Sequence, residues 1–171
     1  MKKITLVLHN IRSTYNVGSI IRTAEGFGVN EIYATGYTPY NISDTKLHVP
    51  PHVLIKMKQA IKKTALGADD TLGIKHFSDI DRLISRYTRE NYDIIGLEQT
   101  NKSIKINEYK SEKNLLLILG EEVKGIPEEV AARCNTFLEI PMLGQKESFN
   151  VATATGIALY ELRRADLFTE Q

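Results

Sequence analysis

Apolar runs that alternate with segments of helical period are the feature that most constrains the fold of this chain. Residues 93–97 (DIIGL) and 114–120 (NLLLILG) are almost continuously apolar, as expected for strands that are covered on both faces. Segments in which apolar residues recur with helical spacing separate the strand-like runs. The alternation predicts an α/β fold with a mainly parallel sheet and helices on both faces.

The remaining elements follow from the same patterns. Further strands are predicted at residues 4–9, 31–35, 74–77 and 137–140, and helices at residues 17–27, 53–65, 80–87, 127–133 and 148–167. Residues 36–51 are predicted to form a long loop, and long loops in compact domains are often functional. Because no repeat or composition shift marks a second domain, we expect a single domain over residues 1–171.

Three segments combine the end of an apolar element with glycine and a few isolated polar residues. They are residues 16–28 (NVGSIIRTAEGFG), 117–127 (LILGEEVKGIP) and 140–162 (IPMLGQKESFNVATATGIALYEL). The last segment brings Ser148 and Asn150 to the opening of a helix, where free backbone N–H groups bind polar ligands. Ligands of parallel sheets bind beyond the carboxyl ends of the strands, so the segments predict a small-molecule site at that edge.

The common nucleotide and metal signatures are missing from the sequence. No G-x-G-x-x-G follows a strand, and Ile126 and Pro127 stand where a phosphate-binding loop needs Lys and Ser or Thr. The four histidines are scattered, so no metal site is expected. The only cysteine, Cys134, fits a reducing compartment and is expected to be a small buried side chain. Since no segment resembles a signal peptide or a membrane span, we expect a cytoplasmic protein with no membrane partner.

Cations are spread unevenly along the chain, although its net charge is only +1. Four lysines fall in one short stretch, and four other cations lie nearer the N-terminus. These residues are Lys56, Lys58, Lys62 and Lys63, and Lys2, Lys3, Arg12 and Arg22. Charge patterning alone favours solvated faces and a partner-binding surface about equally.

The three polar segments resemble, in the same order, motifs 1, 2 and 3 of the SpoU (TrmH-like) branch of the SPOUT methyltransferases. The resemblance covers the chain from about Asn10 to Leu162. It implies transfer of a methyl group from S-adenosyl-L-methionine to a ribose 2′-hydroxyl of tRNA or rRNA. It also implies a homodimer and an α/β fold whose C-terminal part is threaded into a deep trefoil knot, which is a very rare feature.

The resemblance assigns two sets of residues. The catalytic set is Asn16, Arg22, Glu122, Ser148 and Asn150, with Arg22 as the catalytic arginine. The cofactor-binding set, which would act largely through backbone groups, is Leu97, Gly120, Ile140, Met142, Ser148 and Phe149. No metal ligand is implied. Two positions depart from the family pattern: Glu121 adds a carboxylate where many members carry Asn or a small residue, and Phe149 replaces a common Leu.

The chemistry of ribose methylation suits these residue types. The ribose hydroxyl is a poor nucleophile that develops negative charge during attack, so the protein must position the reactants and stabilise that charge. Because a guanidinium stays protonated, Arg22 is favoured as anchor of the target phosphate and stabiliser of the alkoxide over a role as base. Arg22 follows Asn16 by six residues, so the two need not share a helix face.

Each assigned residue also has a purely structural alternative. Arg22 would pair with Glu25 on the helix surface, Glu122 would be a solvated carboxylate, and Ser148 would be the N-cap of the last helix.

Two other functions compete with methyl transfer. One is a non-catalytic RNA- or cofactor-binding module that keeps the fold, which the intact catalytic set disfavours. The other is a metabolic enzyme of flavodoxin-like topology, which leaves all three motifs unexplained. The sequence does not identify the RNA. It mildly favours tRNA, because recognition is expected to come from this domain and its dimer partner.

Overall fold

A parallel sheet forms the centre of the protein. The computed structural model describes residues 1–40 and 50–168, and within them seven strands follow the order β3-β2-β1-β6-β4-β7-β5, with every paired neighbour parallel. The strands are β1 (Ile4–His9), β2 (Glu31–Thr35), β3 (Ile74–His76), β4 (Asp93–Leu97), β5 (Ile104–Lys105), β6 (Leu115–Leu119) and β7 (Thr136–Glu139). The prediction of an α/β fold with a mainly parallel sheet is confirmed.

Helices connect the strands. In the described ranges they are α1 (Thr14–Gly26), α2 (Pro51–Ala65), α3 (Ala68–Thr71), α4 (Ile80–Arg89), α5 (Glu128–Ala131) and α6 (Val151–Leu167), with a 3-10 turn at Ile106–Glu108. The short β5 and α3 were not predicted, because two to four residues show no periodicity. The predicted loop at residues 36–51 includes residues 41–49, which lie outside the described residues. Its last residue, Pro51, belongs to the first turn of α2, where proline needs no hydrogen-bond donor.

Helices cover both faces of the sheet, as predicted. Alternate residues of β1 serve the two faces: Leu6 belongs to the core cluster of α1, α2 and α6, and Val7 to that of α4 and α5. Tyr87 of α4 is almost fully buried in the second cluster. Cys134, expected to be buried, is half-buried against this cluster.

Close contact between α1 and α2 fixes the position of α1. Gly18 of α1 faces Ile61 and Thr64 of α2, and a Cβ at this position would overlap the Ile61 carbonyl oxygen and the Thr64 hydroxyl. Only glycine therefore permits this spacing of the two helices. The contact matters for function because α1 carries Asn16 and Arg22.

A buried arginine fixes α6 against the end of α1. The side chain of Arg163 is 2% exposed. Its guanidinium donates hydrogen bonds to the carbonyl oxygens of Phe27 at 3.1 Å and Gly28 at 2.9 Å, and it pairs with Asp166 at 3.2 Å. A buried charge costs free energy unless it is paired and hydrogen-bonded, so these partners explain how α6 tolerates the guanidinium.

Candidate active site

The three motif segments meet at the carboxyl edge of the sheet. Asn16 lies in the first turn of α1, Glu122 lies in the turn after β6, and Asn150 directly precedes α6. The Asn16 Nδ2 donates to Glu122 Oε1 at 3.0 Å, and the Asn150 Nδ2 donates to Asn16 Oδ1 at 3.2 Å. A carboxamide both donates and accepts, which is how Asn16 joins all three segments. We call these three residues the triad.

Glu122 is the charged member of the triad. Partial burial raises its pKa, but hydrogen bonds from its own N–H, from Asn16 and from the backbone amides of Arg12 and Ser13 outweigh that effect, so the pKa lies below its usual value. The Arg12 amide nitrogen is 3.3 Å from Glu122 Oε2. The carboxylate is therefore ionised at neutral pH, and it is hydrogen-bonded rather than merely solvated.

A tight glycine turn presents Glu122 to α1. The backbones of Glu121 and Gly125 pair through two hydrogen bonds, of 3.0 and 2.9 Å. Gly125 has a φ of +71°, and a Cβ on Gly120 would overlap the backbone of Gly125. Glycine is needed at both positions for the turn to close. Gly120 thus has a structural role in addition to its assignment to the cofactor site.

The carboxylate of Glu121, one of the two departures from the family pattern, points toward Arg12. Its side chain is 11% exposed and lies 4.0 Å from the guanidinium of Arg12, which is 69% exposed. Part of the extra negative charge is therefore compensated by Arg12.

Asn150, not Ser148, is the N-cap of α6. The Asn150 Oδ1 accepts hydrogen bonds from the amides of Ala152 at 3.0 Å and Thr153 at 3.4 Å. The alternative assignment of Ser148 as the cap is wrong, and α6 begins three residues later than expected, at Val151. Asparagine is favoured at this position because its oxygen can cap while its NH₂ group remains available, here for Asn16.

The predicted cofactor residues lie at the ends of three neighbouring strands. β4 lies between β6 and β7 in the sheet, so Leu97, Gly120 and Ile140 are adjacent at its carboxyl edge. Leu97 and Ile140 are half-buried against the core. Met142 is half-buried, and Phe149 is 39% exposed. The set provides apolar surface next to the glycine turn.

The loop between β7 and α6 has free polar backbone. Among residues 1–40 and 50–168, no hydrogen bond involves a backbone or side-chain group of residues 141–149. Ser148 is exposed within this loop. Backbone N–H and C=O groups that have no partner in the fold are available to a ligand.

Arg22 lies outside the triad. It is exposed on α1, while Ile20, Ile21 and Ala24 of the same helix are fully buried. No ion pair joins Arg22 to Glu25 or to another residue in the described part of the chain, so that structural alternative is not realised. The structure thus brings Asn16, Glu122 and Asn150 together, but not Arg22 or Ser148.

The lysine cluster lies on α2, next to the first turn of α1. Lys56 and Lys63 line a groove of about 490 Å³ together with Thr14 and Tyr15 of α1. The groove therefore brings positive charge to the first turn of α1.

Sequence reasoning missed three residues that support the site. The backbone amides of Arg12 and Ser13 donate to the Glu122 carboxylate, and the Ser13 hydroxyl, as N-cap of α1, accepts from the Asn16 amide. Glu98, directly after β4, accepts a hydrogen bond from the Ile126 amide at 2.9 Å and braces the glycine turn. The signals were available: a serine three residues before Asn16 is an N-cap pattern, and Glu98 follows a buried strand.

Comparison with known proteins decides the family. The model of the SpoU rRNA Methylase family matches residues 3–160. The chain belongs to this family. The family predicted from the three motifs is therefore confirmed.

Relatives of this SpoU family chain include longer proteins. It is 28% identical over 159 residues to the 23S rRNA (guanosine-2′-O-)-methyltransferase RlmB of Coxiella burnetii, covering 93% of this chain and 57% of the relative. An AdoMet-bound rRNA methyltransferase structure from Sinorhizobium meliloti superposes with a TM-score of 0.77 at 25% identity, covering 95% of this chain and 56% of that one. The chain thus spans little more than half the length of these two relatives.

One similar structure has nearly the same length. It was described for the 2-OH methylation of C/U34 on tRNA, and it matches with a TM-score of 0.74 at 24% identity, covering 96% of this chain and 97% of the other. At this identity the likeness supports the fold alone.

The described residues contain neither a membrane-spanning helix nor a cluster of metal ligands. None of their helices is long and apolar enough to cross a membrane, and they contain no group of three His, Cys, Asp or Glu residues that could hold a metal ion.

Proposed function

We propose that this SpoU family chain is an S-adenosyl-L-methionine-dependent RNA (ribose-2′-O) methyltransferase that acts on tRNA or rRNA in the cytoplasm through a single catalytic domain. The observation that carries the proposal is the triad, which joins all three motifs by hydrogen bonds at the ligand-binding edge of the sheet. The activity named for the RlmB relative and the AdoMet bound to the Sinorhizobium structure support it.

The chain has surroundings that fit the cofactor. Free backbone groups of residues 141–149 suit the polar atoms of an adenosine, and Leu97, Ile140, Met142 and Phe149 offer apolar surface. Gly120 and Ser148 complete the proposed binding set. When bound, S-adenosyl-L-methionine supplies a methyl group that is already activated on a sulfonium, so no metal is required.

The residues of the chain then need to position the RNA and the cofactor and to stabilise the charge that develops on the ribose oxygen. Arg22 would anchor the target phosphate and stabilise the charge that develops on the ribose oxygen. Glu122, with its lowered pKa, is a poor proton acceptor and instead orients Asn16 and the start of α1. Asn150 links the loop of residues 140–149 to Asn16 through a hydrogen bond. The exposed Ser148 hydroxyl is available for a polar contact with the substrate or the cofactor.

The proposal includes a homodimer whose interface uses part of α6 and the motif-1 region. Exposed apolar side chains on α6 support it: Tyr160 is 46% exposed and Leu167 is 49% exposed. Obligate interfaces are large and apolar. Light scattering at micromolar concentration should give twice the chain mass, and a monomer would contradict the proposal.

The proposal also includes a deep trefoil knot in the C-terminal part. The strand order supports it, because β7 lies between β4 and β5 and α6 returns to pack on α1 and on the turn at Ile106–Glu108. In a pulling experiment on both ends, the unfolded chain should be shorter than its contour length by the residues held in a tightened knot. A full contour length would contradict the knot.

Calorimetry tests the cofactor directly. The purified protein should bind S-adenosyl-L-methionine and S-adenosylhomocysteine in the presence of a chelator. If the folded protein binds neither, the enzyme assignment fails. If it binds the cofactor and RNA but transfers no methyl group to any RNA, the non-catalytic module is the correct function.

A further inference from the structure

A second cationic surface lies on α4. Arg82, Arg86 and Arg89 recur at positions i, i+4 and i+7, so they form one stripe along the helix. Together with Arg133 they line a groove of about 580 Å³, whose other lining residues are Phe77, Ser85 and Thr88. We call it the arginine groove.

The arginine groove is separate from the candidate active site. α4 packs through Leu83, Ile84 and Tyr87 on the core cluster of one sheet face, whereas α1 and α6 pack on the other. The triad stands at the carboxyl edge beside α1 and α6. The part of a ligand that occupies the groove would therefore not touch the triad.

Only half of the positive charge in the groove is compensated. Arg133 pairs with Asp81 at 3.2 Å and donates to the Ser85 hydroxyl at 2.9 Å. Arg86 pairs with Glu90 at 3.0 Å. Arg82 and Arg89 are exposed and form no ion pair within the described ranges.

Helix stability does not account for this arrangement. Cations at the C-terminal turn of a helix interact favourably with its dipole, which suits Arg86 and Arg89. Arg82 lies in the first turn, where a cation is unfavourable, and like charges four residues apart repel each other. An anion that bridges the guanidinium groups would remove this repulsion.

We infer that the arginine groove binds the sugar-phosphate backbone of the RNA substrate at a point remote from the target ribose; this rests on the proposed function. Guanidinium groups match phosphate oxygens in a bidentate manner, and the Ser85 and Thr88 hydroxyls are further phosphate donors. The stripe is about 10 Å long, from seven residues at ~1.5 Å each. This length fits successive phosphates of a chain better than a single phosphate.

The test compares two pairs of exposed cations. Arg82→Gln/Arg89→Gln removes the uncompensated groove charges, and Lys58→Gln/Lys62→Gln removes two exposed charges from α2 on the other side of the sheet. Binding of unfractionated bacterial tRNA is measured by filter binding between 50 and 200 mM salt. Each phosphate contact makes affinity fall about three-fold between 50 and 200 mM salt. Loss of two contacts should therefore weaken tRNA binding and make the fall in affinity over this salt range roughly ten-fold smaller.

Steady-state kinetics gives a second readout. The arginine pair should raise the KM for an unmethylated RNA substrate with little change in kcat, because it removes binding energy that is equal in the ground state and the transition state. Calorimetry of S-adenosyl-L-methionine should be unchanged.

The possible outcomes separate the two proposals. Wild-type affinity of the arginine variant, or an equal loss in the lysine variant, overturns the groove assignment while methyl transfer stands. If the wild-type protein binds no tRNA, both the groove and the assignment of tRNA as substrate fail, and if methyl transfer to rRNA is absent as well, the proposed function fails.

Discussion

The triad and the arginine groove differ in whether their charged groups have partners within the protein. In the triad the carboxamide of Asn16 lies between the Glu122 carboxylate and the Asn150 carboxamide, and each group is hydrogen-bonded to at least one of the others. The groove holds four guanidinium groups against two carboxylates, and Arg82 and Arg89 have no counter-charge in the described residues. A site that is satisfied internally is preorganised for chemistry. In a site with surplus positive charge, an anionic ligand supplies the missing counter-charge, so such a site is suited to binding.

The largest expected effect is on the rate of methyl transfer, and it distinguishes Arg22, as a catalytic cation, from the arginines of the groove, which would only bind RNA. Arg22→Ala should lower single-turnover methyl transfer by roughly 100-fold or more, the scale of losing one group that stabilises a developing oxyanion. The fold and the affinity for S-adenosyl-L-methionine should be unchanged, because the neighbours of Arg22 on α1 are buried. Arg22→Lys should restore only part of the rate, since an ammonium lacks the fork of a guanidinium.

Arg82→Gln is the matched control, because Arg82 is also an exposed helix arginine without an ion pair in the described residues. It should leave the single-turnover rate at saturating RNA unchanged. Wild-type activity of Arg22→Ala on a confirmed substrate would remove the proposed role of Arg22.

The next largest effect is on the free energy of unfolding, and it shows whether the contact with α2 fixes the position of α1. Gly18→Ala should lower the free energy of unfolding by about 1–3 kcal/mol, because the added methyl overlaps the backbone of α2. Gly26→Ala, in the same helix with open space around it, should be neutral or stabilising by up to about 1 kcal/mol. Urea unfolding measures both variants, and equal effects would contradict the account of close packing.

A smaller effect on the free energy of unfolding is expected from a second negative charge inside the triad. Asn16→Asp replaces the donor to Glu122 by a second carboxylate, so we expect a loss of about 1 kcal/mol in unfolding free energy at pH 7. The loss should shrink at pH 4, where protonation relieves the repulsion. Unfolding of variant and wild type at both pH values tests this, and a loss that does not depend on pH would show that Glu122 and residue 16 do not interact.

The smallest effect concerns acid stability at the carboxyl edge. Burial lowers the pKa of His9, which forms hydrogen bonds with Thr35 at 2.8 Å and Asn10 at 3.1 Å. Folded His9 stays neutral while unfolded histidine takes up a proton near pH ~6.5. Stability should therefore fall as the pH drops below that value and level off below the folded pKa.

His9→Gln should show a smaller decrease than the wild type between pH 7.5 and 5.5 in urea unfolding. Identical decreases would exclude His9 as the cause. RNA binding by the arginine groove should gain nothing from the substitution, since guanidinium groups do not titrate in this range.

The sequence predicted six of the seven strands, and only the two-residue β5 was missed. β4 and β6 were the clearest, because they are nearly continuous apolar runs. The order of the strands was not predictable from periodicity, which does not say which neighbours pair. The end of α5 was placed two residues late, at Arg133 instead of Ala131, because a short helix has no clear periodic boundary.

Prediction of the site depended on the motifs rather than on residue type. Asn16, Glu122 and Asn150 are unremarkable polar residues in isolation, and only their register identified them as a set. The structural alternative for Ser148 was an N-cap of α6, because serine is a good N-cap, but Asn150 is the cap and also contacts Asn16. The arginine stripe of α4 was overlooked because the paired carboxylates keep the net charge of the chain near zero.

Methyl transfer to a ribose is the central claim, and isotope labelling tests it most directly. RNA from cells that lack the gene would be incubated with the protein and S-adenosyl-L-methionine that carries a deuterated methyl group, then digested and analysed by nucleoside mass spectrometry. We predict one labelled 2′-O-methylnucleoside with the wild-type protein, and a strongly reduced amount with Arg22→Ala. A label on a base, or no label from a folded protein that binds the cofactor, would contradict the account.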